Sequence, residues 1–519
     1  MSSPTPLWRL LVGTLSRPEY TSEYFDTFYP EILSERMYMD PVRWARFKWY
    51  VRFIKKLNVT NLRWEYKHKE LICALIAHNG GETIFPSLRT LWWPPSSYSE
   101  SSYFPLFTSR LRSAILDLDR CTARDLRPPA EDPESDGFLS RLLASSPRLD
   151  HLTVCTPFHH IGTNFSGLIS SFEHLRVLHL TARISLTSFR GFASLPRMEY
   201  LDVFHVSLDD QHPLSRPPSP IPAPHLQFLH VGGTSLSLTQ LFFALAAPTL
   251  ASASVRATWD APPRTIADGH VDYATCIEAL ATVSSPAALA DVAIALDEDG
   301  GPRIREHLLD LLGPLLAFPN IARFALSCPT VGLVAADDHF WAISGAWRKL
   351  RHFRLVQAHW DPCVTVDPDD DESVPVPVPT PQVLECFRED CPDLRELCLP
   401  HLDVHADVPA LFTRVPKERE RERERPCHGL GRLSLEARDV YEDDEDRIMA
   451  REVMRLGDEK VGEWARYILR LFPNLDGEEC LRYCRWSGAS SGWMEVFALV
   501  RDLGKSQGGS ISDGVSSRS

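Results

Sequence analysis

The feature that most constrains the fold is a leucine pattern that recurs along the whole chain. Two neighbouring copies lie in Pro147–Cys155 and Glu173–Thr181, and both contain Leu-x-x-Leu-x-(Leu/Val). Their first leucines, Leu149 and Leu175, are 26 residues apart. Because one unit of a leucine-rich repeat is roughly 20–29 residues long, this spacing predicts a leucine-rich-repeat architecture.

Equivalent residues, which we call anchors, recur at irregular intervals. From Leu149 to Leu430 the intervals are 26, 23, 28, 24, 39, 32, 29, 44 and 36 residues, and a degenerate copy lies near residues 111–118. The anchors are Leu88, Leu149, Leu175, Met198, Leu226, Leu250, Leu289, Ile321, Leu350, Leu394, Leu430 and Leu475. We attribute the long intervals to loop insertions near residues 213–224, 361–381 and 416–428, which are rich in proline or in charged residues.

Proline marks the repeat more regularly than its length does. A proline cannot continue a helix, and it pushes the preceding residue towards an extended conformation. It is therefore suited to ending an outer helix and leading the chain into the next strand. A proline stands two residues before its anchor at Pro86, Pro147, Pro196, Pro224, Pro248, Pro319, Pro392 and Pro473.

Segments with helical periodicity lie between the anchors. Examples are the apolar stripe Leu238, Leu241, Phe242 and Leu245 and the stripe Trp464, Tyr467, Ile468 and Leu471. Strands that alternate with helices in a constant order imply a parallel sheet with helices on one side. We therefore predict an α/β fold, an irregular leucine-rich-repeat solenoid (horseshoe) with the parallel sheet on its concave face and helices on its convex face.

Three parts of the chain are predicted from this pattern. Residues 1–56 are expected to form a helical N-terminal cap, residues 57–486 the solenoid, and residues 487–519 a C-terminal segment ending in a disordered tail. Asp40-Pro41 favours a helix start, followed by Trp44, Phe47, Val51 and Ile54 on one face. The opposite face is basic, which leaves a nucleic-acid interpretation open beside the capping one.

The composition limits the classes of partner. The net charge is −14, from 55 basic and 69 acidic residues, which argues against nucleic acid and anionic membranes except at a local basic patch. No apolar run is long enough for a membrane span, and no export signal or Cys-x-x-Cys motif is present. The sequence therefore predicts a soluble protein of the cytoplasm or nucleus with reduced thiols.

Motifs of catalysis are missing from the sequence. It contains no glycine-rich phosphate loop, no Gly-x-Ser-x-Gly and no His-Glu-x-x-His. We therefore expect a protein that is not an enzyme and that uses no cofactor and no metal.

The repeat pattern predicts one candidate binding surface, on the concave face of the sheet. Side chains alternate between the two faces of a strand, so the residues between the buried leucines line the concave face. Two lateral rows follow: Thr153, His179, Asp202 and His230, flanked by His151, Val177, Tyr200 and Phe228. The predicted partner-binding residues on this face are His151, Thr153, His179, Tyr200, Asp202, Phe204, Phe228 and His230.

Exposed aromatic rings beside histidine and aspartate are typical of protein-binding patches, so we expect a protein partner there. A second interpretation is that an inserted loop covers these residues. A metal site made by His179, Asp202 and His230 is a weaker alternative, because it offers only three ligands on an open face.

The anchors and the N-terminal segments resemble those of fungal F-box/leucine-rich-repeat proteins. Leu7–Leu11 (LWRLL) is similar to the end of an F-box, and Asp40–Val59 is similar to the helix that leads into the first repeat. The resemblance implies a substrate-recognition subunit of an SCF-type ubiquitin ligase, in which other subunits transfer ubiquitin.

The F-box itself, which binds a Skp-type adaptor in that family, would precede Leu7. We therefore expect it to be lost or encoded upstream of Met1, and we expect adaptor binding only if an upstream F-box exists. The alternatives are a plain leucine-rich-repeat scaffold without a link to ubiquitin, and a hydrolase or metal enzyme with its site in the insertions.

Overall fold

The structure is a computed structural model that describes most of the repeat region. The described residues are 41–58, 75–93, 104–117, 133–155, 163–208, 219–258, 273–297, 305–328, 332–357, 378–399, 402, 429–435, 458–487 and 491–508. The segment Leu7–Leu11, most of the three predicted insertions and the end of the predicted tail lie outside them.

Thirteen strands are joined in one parallel sheet. They are β1 (Lys56–Asn58), β2 (Thr90–Trp93), β3 (Ser113–Asp117), β4 (His151–Cys155), β5 (Val177–Ser185), β6 (Tyr200–Ser207), β8 (Phe228–Thr234), β10 (Ser252–Thr258), β11 (Asp291–Asp297), β13 (Arg323–Cys328), β15 (His352–Gln357), β16 (Glu396–Leu399) and β17 (Arg432–Leu435). Shorter strands are β7 (Ile221–Pro222), β9 (Leu245–Ala246), β12 (Arg305–His307) and β14 (Gly332–Val334). The predicted α/β class with a parallel sheet is confirmed, and the horseshoe curvature stays a prediction.

Helices alternate with the strands. They are α1 (Pro41–Val51), α2 (Pro133–Ser145), α3 (Thr163–Ile169), α4 (Leu186–Ala193), α5 (Ser235–Ala244), α6 (Tyr273–Val283), α7 (Leu308–Leu312), α8 (Asp337–Ala346), α9 (Gln382–Asp390), α10 (Asp458–Leu471), α11 (Gly477–Ser487) and α12 (Ser491–Gly508). The chain divides into two compact units, Met1–Val231 and Gly232–Ser519. The predicted division at residues 56 and 486 stays a prediction.

The anchors form the core of both units. Every anchor from Leu88 to Leu475 is at most 8% exposed.

The constant distance between each proline and its anchor is explained by a tight turn. In the turn Ser146-Pro147-Arg148-Leu149 the N–H of Leu149 donates to the carbonyl of Ser146 at 3.1 Å. Proline is favoured at the second position of such a turn, so its distance to the anchor holds even where the repeat length does not.

Each repeat is joined to the next by a shared backbone acceptor. The carbonyl of Asp150 accepts the N–H groups of Arg176 and Val177 at 2.9 and 3.0 Å. The carbonyl of Arg176 accepts those of Glu199 and Tyr200 in the same way, both at 2.9 Å. This repeated connection sets the register of neighbouring strands and therefore the lateral alignment of their side chains.

One sequence prediction about the second unit is wrong. The anchor Leu475 leads into helix α11 rather than a strand. The physical reason is Asp476, whose Oδ1 accepts the N–H groups of Glu478 and Glu479 at 3.0 Å each and so caps the helix.

The C-terminal helices close the second unit. Helix α11 covers the edge strand β17, where the N–H of Leu433 donates to the sulfur of Cys480 at 3.2 Å. Helix α12 packs on α10 and α11 and continues to Gly508, so much of the predicted C-terminal segment is helical. A helix across the edge satisfies backbone groups that would otherwise invite further strand pairing.

Within the described part of the chain, no helix combines the length and the apolar character needed to cross a membrane.

Candidate functional site

The predicted site lies on four adjacent strands of the first unit, β4, β5, β6 and β8. In the observed register His151 pairs with Val177 and Val177 with Tyr200, while Thr153 pairs with His179 and His179 with Asp202. The lateral rows predicted from the sequence are therefore present in these three strands.

Strand β8 continues both rows. The N–H groups of Gln227 and Phe228 donate to the carbonyl of Glu199 at 2.9 and 3.0 Å, which is the connection seen between the preceding repeats. Phe228 is thus the neighbour of Tyr200, and His230 is the neighbour of Asp202. The structure brings together the predicted residues of all four strands.

The alternation of buried and accessible residues is clear on these strands. The inward leucines Leu152, Leu178, Leu201 and Leu229 are at most 2% exposed. The outward residues are half-buried or exposed, and the two phenylalanines Phe204 and Phe228 are 57% and 41% exposed. The described part of the chain therefore leaves Phe204 and Phe228 accessible, and the interpretation that an inserted loop covers this surface stays open, since most of the insertions lie outside the described residues. We call His151, Thr153, His179, Tyr200, Asp202, Phe204, Phe228 and His230 the ring face.

Four rings on the ring face contact one another in sequence across the strands. The ring centroids of His151 and His179 are 5.5 Å apart, those of His179 and Tyr200 4.8 Å, and those of Tyr200 and Phe228 5.8 Å. Tyr200 and Phe228 are stacked at an interplanar angle of 29°. Because each ring is held by the next, the surface is ordered before any partner arrives.

Asp202 is the acidic centre of the ring face. His179 lies with Nδ1 2.9 Å from Oδ2 of Asp202, and His230 lies with Nδ1 3.6 Å from Oδ1 of the same carboxylate. At the first strand, Nε2 of His151 is 3.3 Å from the hydroxyl of Thr153. The polar groups of the face are thus linked into two small networks beside the rings.

Two pKa values on the ring face are shifted from their ordinary values. Burial lowers the pKa of His151, and the neighbouring His179 lowers it further, against a smaller opposing effect of Asp150. Burial also raises the pKa of Tyr200, and the nearby Asp202 carboxylate adds to the increase. Both groups are therefore neutral at pH 7, so His151 and Tyr200 contribute uncharged rings to the ring face.

The geometry gives no support to the metal interpretation of this surface. Among the described residues, no group of three or more His, Cys, Asp or Glu side chains is arranged to hold a metal ion. The interaction of His179 and His230 with Asp202 instead orients the carboxylate and the two imidazoles.

One feature of the site was missed from the sequence. The guanidinium of Arg176 makes two hydrogen bonds to the carboxylate of Glu199, at 2.9 Å from Nε and 2.6 Å from the terminal nitrogen. These residues precede β5 and β6 by one position, so they border the ring face. The sequence carried the signal, because both residues stand at the same offset after their anchors.

No protein-family model matches this chain, and no curated protein matches it by sequence.

Proposed function

We propose that the protein is a non-enzymatic protein-binding solenoid whose partner docks on the ring face. The observation that carries the proposal is the continuous series of rings from His151 to Phe228, accessible on one side and supported by a buried leucine sheet on the other. A parallel sheet of short strands joined by helices is what a solenoid requires.

The side chains of the ring face suit a protein partner. Tyrosine and phenylalanine provide a large contact area at a low cost in side-chain entropy, and such residues dominate the binding energy of many interfaces. The carboxylate of Asp202 is a hydrogen-bond acceptor beside them. The fitting partner is therefore a protein segment that places an apolar side chain against Tyr200 and Phe228 and a donor near Asp202.

The resemblance to F-box/leucine-rich-repeat proteins extends the proposal to a role in the cytoplasm or nucleus. In that role the protein is the substrate-recognition part of an SCF-type ubiquitin ligase and holds a substrate while other subunits transfer ubiquitin. A plain leucine-rich-repeat scaffold is the alternative. The two differ in one measurable property, which is binding to a Skp-type adaptor.

The docking surface is tested by photo-crosslinking followed by affinity measurement. A photoreactive phenylalanine analogue at Phe204 captures the partner, which is then produced in pure form. We expect Tyr200→Ala and Phe228→Ala each to weaken its binding by about tenfold or more. The matched control is Phe243→Ala, because Phe243 is 54% exposed but lies on helix α5 of the second unit.

Two results of these measurements would contradict the proposal. Unchanged affinity in the Tyr200 and Phe228 variants, or an equal loss in the Phe243 variant, removes the ring face as the docking surface. Co-purification of the protein with a Skp-type adaptor supports the ligase role. A lack of adaptor binding together with an intact ring-face interaction leaves the scaffold role.

A further inference from the structure

Helix α1 of the first unit has two opposite apolar sides. Its inward side contains Phe47 and Val51, each 1% exposed, and fixes the helix to the core. On the outward side Val42 and Trp49, with Phe53 in the turn that follows the helix, are 73%, 50% and 59% exposed. Val42 and Trp49 are seven positions apart, which is the spacing of one helix face, and Phe53 continues their line four positions further on. The outward stripe is therefore not needed to hold the helix in place.

The outward stripe is an organised cluster rather than a set of isolated residues. The rings of Trp49 and Phe53 meet edge to face, with centroids 5.0 Å apart, and Trp49 also meets Tyr50 at 4.9 Å. Large aromatic side chains grouped on a surface in this way are a common mark of an interaction site.

Basic residues surround this stripe. Residues 41–58 contain no aspartate or glutamate, although the chain as a whole carries a net charge of −14. All five cations of this segment whose side chains are described are exposed: Arg46, Lys48, Arg52, Lys55 and Lys56. The local charge is thus opposite in sign to that of the protein, and an anionic surface is its complement.

We propose that this stripe and its cations form a peripheral docking site for an anionic membrane surface. Tryptophan and phenylalanine insert at the level of the lipid headgroups, while lysine and arginine reach the phosphates and keep their apolar stems along the interface. Each basic residue near such a surface strengthens binding about fivefold.

The geometry favours a membrane over a groove in a partner protein. A groove that receives a helix closes around it, whereas one side of α1 is already buried against the core. A headgroup layer needs only the side that faces outward. The acidic residues elsewhere do not prevent this contact, because charges are screened beyond about 10 Å at ordinary salt concentrations. The proposal rests on residues 41–58 alone and is independent of the ring face.

Vesicle flotation of the full-length chain tests the proposal. We expect binding to phosphatidylcholine vesicles that contain about one-third phosphatidylserine, little binding to pure phosphatidylcholine, and a decrease with added salt. Trp49→Ala/Phe53→Ala should weaken binding by about tenfold or more, because the interfacial anchors are lost. Arg52→Glu/Lys56→Glu should weaken it further, since two attractions become repulsions.

The control is another exposed tryptophan. Trp341 is 40% exposed on helix α8, whose first turn carries Asp337 and Asp338, so Trp341→Ala should leave vesicle binding unchanged. Circular dichroism verifies that each variant is folded.

Three results would overturn the proposal: equal binding of the natural chain to both kinds of vesicle at low salt, the same loss in the Trp341 variant, or no loss in the Trp49/Phe53 variant. Binding of a single-stranded oligonucleotide that depends on Trp49 and Phe53, without vesicle binding, would assign the stripe to nucleic acid instead.

Discussion

The outward faces of the two units differ although the strands beneath them are built alike. In the first unit the first outward position of consecutive strands holds His151, Val177, Tyr200 and Phe228. In the second unit the same position of the strands from β11 onward holds charged or ionisable residues that are paired in register. These residues are Asp291, Arg323, His352, Glu396 and Arg432.

The charged residues of the second unit form hydrogen bonds and ion pairs with one another. Arg323 makes two hydrogen bonds to the carboxylate of Asp291, one of them from Nε at 2.7 Å. Nδ1 of His352 lies 3.4 Å from Glu396. Arg432 then connects Glu396, at 3.4 Å, to Glu479 on helix α11, at 2.7 Å. Asp291 with Arg323 and Glu396 with Arg432 are thus two oppositely charged pairs in the row.

The two faces also differ in how strongly their outward residues are buried. In the second unit Cys398 pairs with the outward residue Arg354, yet it is only 1% exposed, as are Val356 and Ser434. Part of that face is therefore already covered. The ring face of the first unit keeps its apolar rings accessible, and apolar area without a partner is what association removes from water. The comparison shows that the same backbone frame presents two chemically different surfaces.

The largest expected effect concerns the division between inward and outward residues that both units share. Leu201 is fully buried, so Leu201→Ala should destabilise the first unit by roughly 2–5 kcal/mol. Its neighbour Tyr200 faces outward, and Tyr200→Ala should cost less than about 1 kcal/mol. In the second unit, Phe324→Ala and Arg323→Ala form the equivalent pair, since Phe324 is 1% exposed and Arg323 is exposed.

Urea denaturation of the four variants measures this difference, with circular dichroism and tryptophan fluorescence as probes. A destabilisation by Tyr200→Ala as large as that by Leu201→Ala would show that the ring face is part of the core, and the contrast between the two faces would disappear.

Much of the fold could be predicted because the determining signals are local. An anchor leucine, the proline two residues before it and the alternation that follows all lie within about ten residues, which is the range over which a turn and a strand are specified. The lateral rows followed from counting outward positions from each anchor, and the observed pairing of His179 with Asp202 agrees.

The remaining features depend on contacts that spacing alone does not encode. The sequence at Pro473 and Leu475 fits the anchor pattern, and only the capping role of Asp476 turns the chain into a helix. The outward stripe of α1 was not predicted from the sequence, because the inward residues already accounted for the apolar periodicity of the helix. The salt bridges of the second unit join residues up to 47 positions apart in sequence, such as Arg432 and Glu479.

The connected salt bridges of the second unit, which we call the charge row, should contribute more to the free energy of unfolding than a single salt bridge does. Glu479 interacts with both Arg432 and Arg482, whereas Glu199 of the first unit interacts with Arg176. Because all these groups are partly exposed, Glu479→Gln should cost about 0.5–1 kcal/mol and Glu199→Gln less. Urea midpoints at low and high salt provide the measurement, and the cost of Glu479→Gln should shrink at high salt. A larger cost for Glu199→Gln would show that the row contributes no more than a single pair.

The smallest expected effect is a pH dependence of the free energy of unfolding that is due to His151 on the ring face. The folded-state pKa of His151 lies below its ordinary value of 6.5, chiefly because of burial. Below pH 6.5 the unfolded chain therefore takes up a proton that the folded chain does not, and the free energy of unfolding falls until the pH passes the folded pKa. Above pH 6.5 this residue has no effect.

His151→Gln should remove this dependence and make the curve of stability against pH shallower below pH 6.5, by a few tenths of a kcal/mol for a half-buried group. Stability is compared at several pH values between natural chain and variant, so that the titration of carboxylates common to both cancels. A steeper curve in the variant would mean that protonated His151 is stabilised in the folded state. The charged imidazole, and not a neutral ring, would then begin the ring face, and this face would resemble the charge row of the second unit more closely than its geometry indicates.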